Sequence, residues 1–358
     1  PPLYDAVALV ADGDLRVVGT DLRTWVRVDV PATVTGSWGC LVSPEVLSKL
    51  LKGKPDVEVG LGLRGDVLHL ELGLESYDLP VGLVDDYPLD PTGGAVLREV
   101  VPVDWALGEA CGRALAAVDA TGSWDWALSY LHLSEHRGVP CLVGLDLGCM
   151  SVQWLQGGPL PETLLMPTQA AEALRALGGR ARLLEFWQDL VEGYVTVVLS
   201  GAQVTWARPW YTPAKWRRAL ETATSGQPLE ALVDAKMLGA ALRALRTSGR
   251  SHHHLVRLWG GPWGLRLVRL YDGQLESQCL PLLECEGEWQ AQVSLELLLA
   301  AVGTCRGEVD LTVWGPLGPL TLEQGDNMWL IMPATGRTEL NQAIDNYIEQ
   351  HYNTQEVK

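Results

Sequence analysis

Three of the chain's six lysines, Lys49, Lys52 and Lys54, fall within the twelve residues from Ser43 to Lys54, in a protein of formal charge -17. Cations gathered on so acidic a chain invite an anionic ligand. The stretch reads as a helix: Ser43 caps it, Pro44 takes the first position, Glu45 suits the positive end of the dipole and Gly53 ends it. At 100° per residue Val46, Leu47, Leu50 and Leu51 share one face, while Lys49 and Lys52 point the other way. On its own this is also how an ordinary solvated lysine face reads.

The pattern recurs. Leu232 to Arg246 places Met237, Leu238, Ala241 and Leu245 on one face and Lys236 and Arg243 opposite. Thr168 to Leu177 turns Ala170, Leu174 and Leu177 inward and Arg175 away. Helical stretches at about Val103 to Ala117 and Val293 to Val302 carry Arg113 and, just past the second, Arg306. The helix starts near residues 43, 103, 167, 231 and 293 are separated by 60, 64, 64 and 62 residues. Counting back once more puts a sixth helix ahead of residue 1, so the first residue shown is not expected to be the true start.

Other chemistry fails on context. Gly60 to Gly65 spells GLGLRG, but between two alternating strands, where a dinucleotide-binding glycine loop needs a strand followed by a helix. His252, His253 and His254 are adjacent, so on a strand their rings alternate between faces, a poor metal geometry. His132 and His136 are four apart but straddle a strand end instead of lying on a helix. No carboxylate pair, Ser-His-Asp set or phosphate loop stands out, so the sequence supports no enzyme, and no cofactor or metal is expected.

With 27 Lys plus Arg against 44 Asp plus Glu, polyanions are excluded from binding over the whole surface and must meet a local positive patch. The seven cysteines are scattered without CxxC pairs and read as reduced core residues of a cytoplasmic protein. No apolar run is long enough to span a membrane.

Between the helices the chain alternates as antiparallel strands: Ala6 to Val10, Leu15 to Val18 and Trp25 to Val30; Val57 to Leu63, Asp66 to Leu72 and Tyr77 to Leu79; Trp126 to Leu133, Cys141 to Leu145 and Val152 to Leu155. Further sets follow at Arg182 to Phe186, Tyr194 to Leu199 and Gln203 to Ala207, at Leu255 to Trp259, Leu265 to Tyr271 and Glu276 to Pro281, and at Val309 to Val313, Pro319 to Glu323 and Met328 to Met332. The fold class is therefore α+β. Units of about 62 residues, one helix and several strands each, pair into three similar domains, residues 1–98, 99–222 and 223–337, with boundaries near Arg98 and in Thr222 to Pro228. Residues 338–358 form an appended tail in which Leu340, Ile344, Tyr347, Ile348 and His351 recur at helical spacing, out of phase with the repeat.

Over residues 1–337 the order of these features resembles the bacterial DNA polymerase III beta subunit, the replicative sliding clamp. The resemblance rests on LYDAVALVADGDLRVVGTDL at Leu3 to Leu22, SPEVLSKLL from Ser43, YDLPVGLVDDYP at Tyr77 to Pro88, VGLDLGCM at Val143 to Met150, WRRAL at Trp216 to Leu220 and WLIMP at Trp329 to Pro333. It implies three clamp domains per subunit in a head-to-tail homodimeric ring. The helices line the interior, and Lys49, Lys52, Arg113, Arg175, Lys236 and Arg243 face double-stranded DNA without sequence preference. Relative to the family, an N-terminal segment bearing the first inner helix is lacking.

The family also binds the polymerase, the clamp loader and other partners by short linear motifs in an apolar pocket. Carried over residue by residue, that pocket is lined by Leu128, Leu145, Leu147, Met150, Ala214, Arg218, Ala219, Leu295, Leu317, Pro319, Met332 and Pro333. Where the family has Thr-Asp-Gly-His-Arg-Leu, this chain has Leu145-Asp146-Leu147-Gly148-Cys149-Met150, losing the His and the Arg. Leu145, Leu147, Leu295 and Met332 also admit a reading as interdomain core, with the pocket the favoured one. Three functions stay open: a DNA-encircling processivity factor without catalysis, a clamp-fold protein-binding relative that does not travel on DNA, and a metal-dependent enzyme.

Overall fold

A computed structural model describes residues 5–54, 57–118, 126–246, 255–271, 274–315 and 318–334. Six helices appear among the described residues: α1 (Pro44–Leu51), α2 (Leu107–Ala114), α3 (Thr168–Leu177), α4 (Trp216–Ala223), α5 (Ala235–Arg246) and α6 (Leu295–Gly303). Ser43 caps α1 as the sequence asks, and Asp234 caps α5 in the same way. Ser43 Oγ accepts from Val46 N–H at 3.5 Å, and Asp234 Oδ1 accepts from Met237 N–H at 2.8 Å.

Some expectations need correction. The helix expected from Val103 starts only at Leu107, because Val96–Trp105 is a strand whose β-branched residues pair with Ala181–Gln188. Arg98, expected at a domain boundary, lies inside that strand. Trp126–Ser129 is a short 3-10 turn, and the strand after it, Tyr130–His136, contains both His132 and His136 instead of ending between them. The helix α4 has no counterpart among the expected helices. The glycines from Gly60 to Gly65 do form a strand and turn, Val59–Arg64 pairing with Val67–Leu72. His252 to His254, Leu317 and the tail 338–358 lie outside the described residues.

The strands follow one rule three times. Four strands in the spatial order fourth, first, second, third end in a helix: Ser37–Val42, Val7–Asp12, Asp14–Thr20 and Thr24–Val30 lead to α1. Leu164–Pro167, Tyr130–His136, Val139–Leu145 and Cys149–Trp154 lead to α3, and Trp289–Ser294, Leu255–Gly261, Gly264–Tyr271 and Gln274–Leu280 lead to α6. Each helix is followed by a three-strand meander: Val59–Arg64, Val67–Leu72 and Glu75–Pro80; Ala181–Gln188, Gly193–Leu199 and Ala202–Ala207; Glu308–Trp314, Leu320–Gln324 and Asn327–Ile331. Among the described residues the strand pairings are antiparallel, as the short hairpin connections within each meander require.

The meanders join the four-strand sets edge to edge. Thr24–Val30 pairs with Ala202–Ala207, making one sheet of eight strands, and Cys149–Trp154 pairs with Asn327–Ile331, making another of nine. The ninth is the two-residue strand Glu284–Cys285 beside Pro228–Asp234.

The chain divides into two interleaved compact units, Pro1–Glu109 with Met166–Trp210, and Ala110–Leu165 with Tyr211–Lys358. In the first, Leu9, Cys40, Val42, Leu68, Leu70, Leu72 and Leu79 pack between the sheets, with Leu47 and Leu50 of α1 against them. The second holds the larger core, in which α5 and α6 contribute Leu238, Leu242, Leu245, Leu298 and Ala301 at essentially no exposure. Trp329 is fully buried there, its indole N–H donating to Thr304 Oγ1 at 2.9 Å.

All seven cysteines are free, and five are buried. Cys279 is exposed and Cys285 half-buried, so those two are not core residues as expected. Burial pushes the Cys40 thiol up to about 11 and those of Cys141 and Cys149 to about 12, far from a reactive thiolate. Among the described residues, no helix is long and apolar enough to cross a membrane.

Candidate functional site

The six cations expected to face an anion all stand on or beside helices. In the first unit, Lys49 on α1, Lys52 at its C-cap and Arg175 on α3 are exposed. In the second, Lys236 and Arg243 on α5 are exposed, whereas Arg113 on α2 is half-buried. Arg113 approaches Cys305, whose thiol is raised by burial and partly offset by Thr304 and the arginine's charge.

Helix electrostatics explain some of these positions. Lys49, Arg113, Arg175 and Arg243 stand in last turns, where a cation meets the negative end of the dipole. Lys236 does not: it is the second residue of α5, at the positive end, where a cation is unfavourable. Sequence reading missed Arg246, which closes α5 and pairs with Glu296 of α6 at 3.5 Å.

The residues carried over for a peptide pocket separate. Leu128, Leu145 and Met150 are buried together with Val143, Val152, Trp216, Leu220, Met328 and Leu330, and Ala214 packs against them. Leu295 is fully buried in the other, larger cluster. Leu147, Arg218, Ala219, Met332 and Pro333 are exposed, and Pro319 is half-buried. The altered loop explains Leu147. Asp146 N–H donates to Cys149 O, Gly148 N–H donates to Asp146 Oδ1, and Met332 N–H donates to Gly148 O at 2.9 Å. This tight turn leaves Leu147 78% exposed at its tip. Leu330, opposite Met150 in the ladder, was missed although strand alternation places Met328, Leu330 and Met332 on one face.

Beside this cluster, and sharing Leu220 and Met328 with it, opens a cleft of about 520 Å³ that sequence reading did not find. Trp154 and Trp314 give it aromatic walls, and Glu221, Glu323 and Asp326 make it acidic. Burial holds the Glu323 carboxyl above its usual range, helped by Asp310 and Glu230 nearby. No local sequence signal could have found it, because its walls come from α4 and six separate strands.

At the cleft's edge the His136 ring lies 5.8 Å from that of Trp154 and 5.6 Å from that of Trp216. Arg217 stacks over Trp216 at 5.1 Å and donates to Glu135 O. Burial lowers the His136 pKa first, and Arg137 and Arg217 lower it further against the pull of Glu221. A histidine whose folded pKa lies below its unfolded value contributes stability that is present above pH ~6.5 and is lost as pH falls through the folded value. Chemical denaturation between pH 7.5 and 5 is expected to show this loss, and His136→Phe to flatten it; an equal loss in both proteins would assign it elsewhere.

Among the described residues no group of three or more His, Cys, Asp or Glu side chains is placed to hold a metal ion. No family model matches the sequence. The structure is similar to the DNA polymerase III beta subunit of Thermotoga maritima, with a TM-score of 0.77 and 16% identity over 94% of this chain and 92% of that one. It is likewise similar to a putative DNA polymerase III beta subunit of Eubacterium rectale (TM-score 0.75, 11% identity, 94% and 93% coverage). The DNA polymerase sliding clamp of Bacillus subtilis gives a TM-score of 0.74 at 14% identity, with 94% and 92% coverage. The chain therefore has the fold of the bacterial DNA polymerase III beta subunit.

Proposed function

We propose that the protein is a DNA sliding clamp: a non-catalytic processivity factor that encircles duplex DNA as a head-to-tail homodimer and tethers polymerase and clamp loader by short peptides. The observation that carries the reading is Lys236, a cation kept where its own helix disfavours it, beside Arg243 on one exposed face. Lys49, Lys52 and Arg175 extend the same chemistry to the helices of the other unit. Such side chains meet phosphates without register and read no bases, which suits sliding. The threefold strand order supports three domains, 1–98, 99–222 and 223–337, with the first boundary carried into the strand Val96–Trp105.

The sheet edges support the ring. Within the chain, third strands of four-strand sets pair with third strands of meanders twice. One strand of each kind is left at a sheet edge, Gln274–Leu280 and Glu75–Pro80. A second copy supplies the missing partner to each, a heterologous contact that repeats until it closes. Val28 pairs with Ala202 and Gln153 with Asn327, each the first residue after a two-residue turn. Carried over, Gln278 pairs with Glu75 of the next copy, and Cys279 stands opposite its Leu74.

The buried cluster of Leu145, Met150 and Leu330, with Ala219 and Met332 exposed near it, is the proposed peptide pocket. Arg218 is its rim cation. Loss of the family's His and Arg leaves this pocket more apolar, so its motif preference differs.

Two outcomes test the reading. Leu74→Cys is expected to form a disulfide with Cys279 of a second copy under mild oxidation, giving a species of twice the chain mass that Cys279→Ser abolishes; a monomer throughout would remove the ring. In DNA binding, Lys236→Glu with Arg243→Glu is expected to lower the salt slope by about one for each phosphate that is no longer neutralised. An unchanged slope would remove α5 from the DNA.

A further inference from the structure

The cleft beside His136 holds negative charge that no neighbouring cation answers. Glu323 stands directly opposite Asp310 in one ladder and Met328 in the next, so two carboxylates share a row of the sheet. Like charges directly opposed across strands cost stability. Glu221 of α4 and Asp326, whose carbonyl accepts from Trp154 N–H at 2.8 Å, bring two more carboxylates to the walls. None of Glu221, Glu323 and Asp326 makes an ion pair among the described residues. The fixed cation among the described lining residues is Arg137, exposed on its hairpin turn.

Two further features point to a ligand. His136 lines the cleft, is only 8% exposed, and makes no hydrogen bond through its ring among the described residues. Its lowered pKa leaves the ring mostly neutral at pH 7, with one nitrogen an acceptor. Trp154 and Trp314 supply indole rings, and the Trp314 N–H is already bonded to Thr321 Oγ1 at 3.2 Å, so the ring is what it offers. Indoles attract cations, and arginine is the commoner partner. This chain makes that contact twice, Arg217 over Trp216 at 5.1 Å and Arg266 over Trp263 at 5.6 Å.

We infer that the cleft is a docking site for an arginine side chain of a partner protein, its guanidinium on the Trp154 and Trp314 rings and donating to Glu323, Asp326 and His136. A lining of acceptors suits guanidinium, which has five donors and no acceptor. The site is separate from the proposed peptide pocket. At 100° per residue Trp216 and Leu220 form the buried side of α4, Ala219 lies on one flank with the pocket, and Glu221 and Thr224 lie on the other with the cleft. The inference stands whether or not that pocket binds peptides and whether or not the protein encircles DNA. Residues 338–358, with four Asp or Glu against one Lys, carry the wrong sign for it.

The test titrates the full chain into acetyl-Gly-Gly-Arg-Gly-Gly-amide, and into its Lys and Gln counterparts, and reads Kd from broadening of the peptide's NMR signals. The Arg peptide is expected to bind more tightly than both. Trp314→Leu, which leaves net charge unchanged, and Glu323→Gln, at a carboxylate without a hydrogen bond, are each expected to weaken it about fivefold. Glu58→Gln, the same charge change at an exposed position in the first unit, is expected to have no effect. An equal loss in Glu58→Gln, or no loss in Glu323→Gln and Trp314→Leu, would assign the binding to general attraction and overturn the site. Equal binding of the Lys peptide would overturn the choice of guanidinium. Tighter binding by a variant combining Arg250→Ala and Arg337→Ala would show that the chain's own arginine fills the cleft and that the partner source is wrong; unchanged affinity upholds it.

Discussion

Backbone groups along a strand must be paired, and this fold meets that demand by letting one repeat finish another's sheet. Thr24–Val30 is completed by Ala202–Ala207 and Cys149–Trp154 by Asn327–Ile331, strands remote in sequence that are joined residue by residue. The same rule leaves strands open wherever a neighbour is not yet supplied. Open edges are liabilities in a monomer, and two of them, Gln274–Leu280 and Glu75–Pro80, are where a second copy is proposed to attach.

On that frame the helices have freedom to carry charge. Their inward faces are small and apolar, Ala170, Ala171 and Leu174 on α3 and Leu238, Leu242 and Leu245 on α5, so the outward faces are not needed for stability. A chain of net charge -17 repels a polyanion from most directions. Under the proposed function, the cations on the helix faces make binding a matter of where the polymer is held and not of how strongly it sticks, because local phosphate interactions are weak and salt-sensitive.

The repeat is legible because it is written in local chemistry. Ser43 followed by Pro44 announces a helix start, and alternation in stretches such as Asp66 to Leu72 announces strands. What stays hidden depends on partners far away in sequence. Val96–Trp105 reads as the approach to a helix until its pairing with Ala181–Gln188 is known. Leu295, carried over as a pocket residue, is held in the α5 and α6 core, while Leu147 is thrown out by a three-bond turn whose closing partner, Met332, is remote in the chain. The acidic cleft beside His136 draws on α4, a helix whose polar residues Arg217, Arg218 and Glu221 mask its two buried anchors, Trp216 and Leu220.

In the proposed function an acidic protein holds DNA by enclosure. The most direct measurement loads the protein onto a nicked circular plasmid, isolates the complex at high salt and then cuts the plasmid once. Enclosure predicts that the protein stays on the circle and leaves within minutes of linearisation. Equal loss from circular and cut DNA, or equal retention on both, would contradict it.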